Sequence, residues 1–217
     1  MKKKLKILII TFAIIFILVF FIQITYKNIK DGNNIIKSEN DLIEYILNIS
    51  SYQAKLEVII NSNKTTNKYV LEQHYLEPNY SKQIVNEPSN IQGIEIIYNG
   101  SNLEVRNTNL GLSKIYENYN YLNENILWLN YFISNCNSKG YTTSERDDEL
   151  ILETKIENYN YQAILYINQK TSLPSKMEIL DNDNKSKVYI EYKEIKLNNI
   201  QENNIFAFIT KDIRKEV

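Results

Sequence analysis

One imidazole and one thiol bound the chemistry open to this chain: His74 and Cys136 are the sole residues of their types among 217. His74 stands in EQHYLEP, where strand alternation places it on one face with Glu72. A general base needs a nucleophile and an orienting partner in reach, and no Ser sits in a G-x-S-x-G setting that would expose it on a sharp turn. His74 therefore reads as a structural histidine. A lone cysteine forms no internal disulfide and assembles no cysteine-based zinc site. Cys136, on an apolar helix, reads as a small buried residue, with an intermolecular disulfide as its other use. The carboxylates are spread along solvent faces at period 2, which leaves the pairing used in glycoside hydrolysis open without pointing to it. The acidic run Glu145 to Glu149 reads as a solvated turn, since it lacks the Gly and terminal Glu of an EF-hand loop. Phosphate-binding glycine loops and H-E-x-x-H are absent. No catalytic, cofactor-binding or metal-binding residue is assigned, and the chain reads as a non-enzyme.

Charge narrows the partners. With 25 basic and 26 acidic residues the formal net charge is −1, so no single-sign field exists to grip a polyanion, and nucleic acid is set aside. The aromatic residues are 17 Tyr against 7 Phe and 1 Trp, and Tyr with Ile suits a pleated, half-buried surface. β structure is the expectation from composition alone.

The elements that hold these residues begin with an anchor. MKKKLK (1–6) precedes an apolar run from Ile7 to Ile24 whose only polar members are Thr11 and Gln23. At about 1.5 Å per residue this run crosses a hydrocarbon core roughly 30 Å thick. The following QITYKNIKDG offers no small-residue cleavage site, and no Cys follows that could be acylated. The reading is an uncleaved signal anchor over 7–26. Lys2, Lys3, Lys4 and Lys6 outnumber Lys27 and Lys30, which sets the N-terminus in the cytoplasm and the C-terminal domain outside. Residues 27–37 form a linker, 38–209 the extracytoplasmic domain and 210–217 a tail.

In the domain, SENDLIEYILNISSY spaces Leu42, Ile43, Ile46, Leu47 and Ile49 as a short helix capped by Ser38 or Asn40. Tyr52, Ala54, Leu56, Val58 and Ile60 then alternate with Gln53, Lys55 and Glu57 as a half-solvated strand. Further strands follow in KYVLEQHYLEP, YSKQIVNEP, IEIIYNG, NLEVRN and KIYENY, with Asn99-Gly100 as a hairpin signal. YLNENILWLNYFISNCNSKG predicts a midway helix with a stripe of Leu122, Ile126, Leu129, Ile133 and Cys136, stopped by Gly140. Leu127, Trp128, Tyr131 and Phe132 widen that stripe, so the helix is buried or covers a groove, and these four are its candidate groove or core lining. Strands return in ELILETKI, YQAILYIN, SKMEIL and VYIEYKEIKL, and NIFAFI closes the pattern.

The order helix, meander, midway helix and closing hairpin resembles the lipoprotein-carrier fold of LolA and LolB. The residues that carry the likeness are Leu173-Pro174 to Leu180, the turn Asp181 to Lys187, Val188 to Leu197 and Phe206-Ala207-Phe208. YLEPNYSKQIV and the hairpin Tyr98 to Leu103 add to it, and the whole covers about residues 38 to 209. Within that superfamily the chain is most similar to the germination lipoprotein GerS group of spore-forming bacteria. The resemblance implies an α+β domain: a strongly curved antiparallel sheet, an incomplete barrel, with helices covering its concave face. It also implies a non-catalytic partner of the cell-wall amidase CwlD in spore-cortex modification and germination. A lipid- or lipoprotein-binding module, with an acyl chain in the concave face, is the second reading, and open edge strands would allow a homodimer.

Overall fold

Alternation at period 2 becomes eleven strands of one antiparallel sheet in the computed structural model, which describes residues 38–199 apart from 63, 79, 120–124 and 157–159. The predicted span 7–26, the linker 27–37, NIFAFI and the tail 210–217 lie outside the described residues. Among the described residues no helix is long and apolar enough to cross a membrane.

Helix α1 (Glu39–Leu47) opens the described domain, with the Asp41 N–H donating to Ser38 Oγ at 3.2 Å as the cap. Its apolar positions Leu42, Ile43 and Ile46 are buried. Strands β1 (Ser51–Asn61), β2 (Thr66–Leu76), β3 (Tyr80–Glu87), β4 (Ile94–Asn99), β5 (Leu103–Asn107) and β6 (Leu112–Tyr116) then form a meander. At its Asn99-Gly100 turn Gly100 has φ 94°, and the Asn99 side chain accepts from the N–H groups of Ser101 and Asn102. Helix α2 (Leu129–Lys139) follows, and β7 (Thr142–Arg146), β8 (Glu149–Ile156), β9 (Tyr161–Asn168), β10 (Leu173–Leu180) and β11 (Ser186–Leu197) form a second meander.

The two meanders join at their first and last strands. β11 pairs antiparallel with β1, which gives the order β6-β5-β4-β3-β2-β1-β11-β10-β9-β8-β7. The sheet is curved and open, with β6 and β7 at its two edges. The chain must therefore pass from one edge to the other between Tyr116 and Thr142, and α2, within that stretch, is bonded at its ends to Tyr52 and Thr154 on the inward face.

That face holds the core. Cross-strand register lines up Leu152, Leu165, Met177, Ile190 and Val58 as one row, each at most 1% exposed. A second row runs through Thr154, Ala163, Ile179 and Val188. Burying each large apolar side chain is worth roughly 1.5–3 kcal/mol, so rows of this kind fix the register against a one-residue slip.

Two elements differ from the sequence expectation. The midway helix starts at Leu129 rather than near Leu122, which itself lies outside the described residues. Asn125 ends the approach with a local turn, its Oδ1 accepting the Leu127 N–H at 3.1 Å, and Trp128 is extended at φ −97°, ψ 134°. The segment around Glu145 is not all turn: Thr142 to Arg146 form β7, and only Asp147-Asp148 make the reversal before β8. Its fully polar, fully exposed sequence carries no alternation to betray a strand.

Leu165→Ala, in the centre of the buried row, is expected to lower the unfolding free energy by about 2–5 kcal/mol. Thr143→Ala, on exposed β7, should stay within roughly 0.5 kcal/mol, both read from urea unfolding midpoints.

Candidate functional site

The aromatic stripe of the midway segment meets the sheet where β1 and β2 present polar groups inward. Trp128 is fully buried, Phe132 is 2% and Tyr131 8% exposed, and Leu127 is half-buried. The Trp128 ring lies 6.3 Å from that of Tyr52 on β1, and Tyr52 lies 5.7 Å from Tyr75 on β2.

Trp128 has no side-chain oxygen with which to cap the helix it precedes. The first N–H of α2, that of Leu129, instead donates to the Tyr52 hydroxyl at 3.3 Å, a contact across 77 residues of sequence. The same hydroxyl donates to Gln73 Oε1 at 3.1 Å. Gln73 Nε2 in turn donates to Gln83 Oε1 on β3 at 3.0 Å and to the Leu127 carbonyl at 3.4 Å. Tyr52 and Gln73 are each 0% exposed, and both polar atoms of the Gln73 amide are bonded. This chain of bonds ties three strands to the entry of α2.

The other end of α2 is held as well. Thr154 Oγ1 on β8 donates to the carbonyl of Gly140 at 2.8 Å, and Asn137 Nδ2 donates to the Leu47 carbonyl of α1 at 3.4 Å. Cys136 is buried here, and burial pushes its thiol up to about 12, against a smaller opposing effect of the Thr154 hydrogen bond. A thiol so protonated is a poor nucleophile at neutral pH.

Beyond β3 the same face is less covered. Register places Ile96 opposite Gln83 and Val105 opposite Ile96, and both are half-buried. Further out, β6 is exposed along its whole length.

The opposite face carries a hydrogen bond between Glu72 and His74 at 2.8 Å and ion pairs of Lys82 with Glu95 at 3.1 Å and Glu104 with Arg106 at 3.0 Å. His74 and Glu72 do share a face, as alternation predicts. Among the described residues no group of three or more His, Cys, Asp or Glu could hold a metal ion.

The predicted residues Leu127, Trp128, Tyr131 and Phe132 are thus drawn together at the helix entry, while Tyr52, Gln73 and Gln83 were not anticipated. A signal was present. Gln73 falls in phase with Leu71 and Tyr75, and Gln83 with Ser81 and Val85, so each stands at an inward position of an alternating strand.

Comparison with known proteins places this arrangement. A family model described as sporulation protein YdcC-like matches residues 3–206. No curated protein sequence matches significantly. Among solved structures, an uncharacterized conserved protein from Thermus thermophilus is similar in fold at 11% identity, covering 77% of this chain and 92% of its own, with a TM-score of 0.50. A chain in the structure of the CwlD amidase from Clostridioides difficile in complex with the GerS lipoprotein is 28% identical, over 71% of this chain and 91% of that one, at TM-score 0.46. A LolA superfamily protein from Nitrosomonas europaea is 15% identical, over 76% and 95%, at 0.40. The LolA superfamily and the GerS complex are the two likenesses drawn from the sequence motifs.

Tyr52→Phe leaves the Leu129 N–H and Gln73 Oε1 without their buried partner and is expected to destabilise by about 1–3 kcal/mol. Trp128→Ala should cost about 3–5 kcal/mol; urea unfolding checks both. A pH effect follows from the buried acids. Burial, with Glu77 nearby, also raises Tyr75 to about 12, so folding favours the protonated Cys136 and Tyr75. Their contribution is complete below the ordinary values of 9.0 and 10.0 and is lost as pH rises toward 12. Thermal midpoints should fall across that window, less steeply in Cys136→Ala, and the native thiol should resist a disulfide reagent at pH 8 until denaturant is added.

Proposed function

The chain belongs to the YdcC-like sporulation protein family, and we propose that it is a non-catalytic, membrane-tethered extracytoplasmic adaptor that binds and supports a CwlD-type cell-wall amidase in spore-cortex modification and germination. The observation that carries this reading is the state of the helix-covered face. An acyl carrier needs an apolar lining that stays open, whereas here the chain's own Trp128 packs on Tyr52 of β1, and Leu129 and Phe132 are buried beside it in sequence. The floor beneath them is also wrong for a lipid tail, because the buried Gln73 would lose a hydrogen bond if an alkyl chain displaced the Leu127 carbonyl. A domain with a filled core and open sheet edges is suited to hold a protein. The tether is the apolar run 7–26, in place of an acylated cysteine.

The second reading, a lipid- or lipoprotein-binding module, draws on the half-buried Ile96 and Val105, which extend the same face past the polar bonds. A pull-down from sporulating cells separates the two. The fragment Asp31 to Val217 is expected to recover the amidase at near-stoichiometric yield. Recovery of lipids or acylated proteins without any amidase would overturn the adaptor and make Ile96 and Val105 the site.

A further inference from the structure

The two edges of the sheet are unlike. At β7 the exposed residues are Thr142, Thr143, Ser144, Glu145 and Arg146, all polar. At β6 they include Leu112 at 63%, Ile115 at 59% and Tyr116 at 39% exposure, flanked by Leu110 at 67% and Tyr119 at 49%. Edge strands are ordinarily blunted by charge, proline or bulges, because their unpaired N–H and C=O groups invite another strand. β6 has one such device, Lys114, and among the described residues no strand pairs with its outer side.

Register assigns the faces of β6. Tyr116 is opposite the buried Leu103, so Leu112, Lys114 and Tyr116 lie on the helix-covered face, and Ser113 and Ile115 on the other. A segment added to this edge must therefore be apolar on both of its faces. Lys114 Nζ sits 4.8 Å from the Tyr116 ring centroid, and among the described residues no carboxylate pairs with it. A carboxylate directly across the new pairing would meet that charge.

An acyl chain supplies no hydrogen bonds to a strand edge. A second copy fits poorly: the antiparallel register that pairs the whole of β6 with itself sets Lys114 against Lys114, like charges directly opposite.

We infer that β6 is the docking edge for the amidase, which adds an extended segment of its own beside Leu112 to Tyr116, apolar on both faces and with an Asp or Glu opposite Lys114. This rests on the adaptor reading and gives it a surface. The test uses the full-length chain in detergent micelles and a purified CwlD-type amidase as probe, with Kd from biolayer interferometry and mass from light scattering. Leu112→Asp with Ile115→Asp is expected to weaken binding about tenfold or more, Lys114→Glu about fivefold, and Thr143→Asp on β7 not at all. These side chains are exposed, and unchanged unfolding midpoints verify that the variants fold. Equal binding by all variants overturns the docking edge while leaving the adaptor intact. No binding even by the unaltered chain overturns both. Self-association that the β6 aspartates abolish, with amidase binding unchanged, assigns the edge to a second copy instead and overturns the inference.

Discussion

Everything on the helix-covered face follows from the way α2 begins. A helix starts with N–H groups that lack partners, and a buried start must find acceptors nearby. Trp128 supplies none, so the Tyr52 hydroxyl accepts the Leu129 N–H and passes the bond on to Gln73. Because Tyr52 belongs to the strand that also pairs with β11, the helix entry is fixed at the seam where the two meanders meet. The long crossover between the edges is thereby held at its middle.

This arrangement bears on what the face can do. A polar chain inside an apolar layer is stable only when every member is bonded, and it then holds one geometry. Gln73 meets that condition through Tyr52, Gln83 and the Leu127 carbonyl. Such a floor resists being opened for a ligand, since each displaced bond leaves a buried group behind. Rigidity at the centre and exposed apolar side chains at β6 describe a scaffold that recognises with its edge.

The opposite face tells the same story through charge. Its part-buried polar pairs join neighbours across and along strands. They keep that face soluble and leave His74 matched to Glu72, so the one imidazole is engaged in structure.

Much of the fold was legible in the sequence because alternation and turn chemistry are local. The strands of both meanders other than β7, the Asn99-Gly100 turn, the α1 cap at Ser38 and the α2 stop at Gly140 all rest on residues within a few positions of one another. The burial of Trp128, Tyr131 and Phe132 has a local signal too, the apolar breadth of their segment. The polar β7 was not, because an edge strand exposed on both faces has no hydrophobic period. Nor could any local pattern show that β11 returns to β1, that Tyr52 caps a helix 77 residues away, or that Gln73 and Gln83 find each other inside. Those bonds join residues whose only relation is the register of strands far apart in the chain, and register becomes definite only when the whole buried face closes at once.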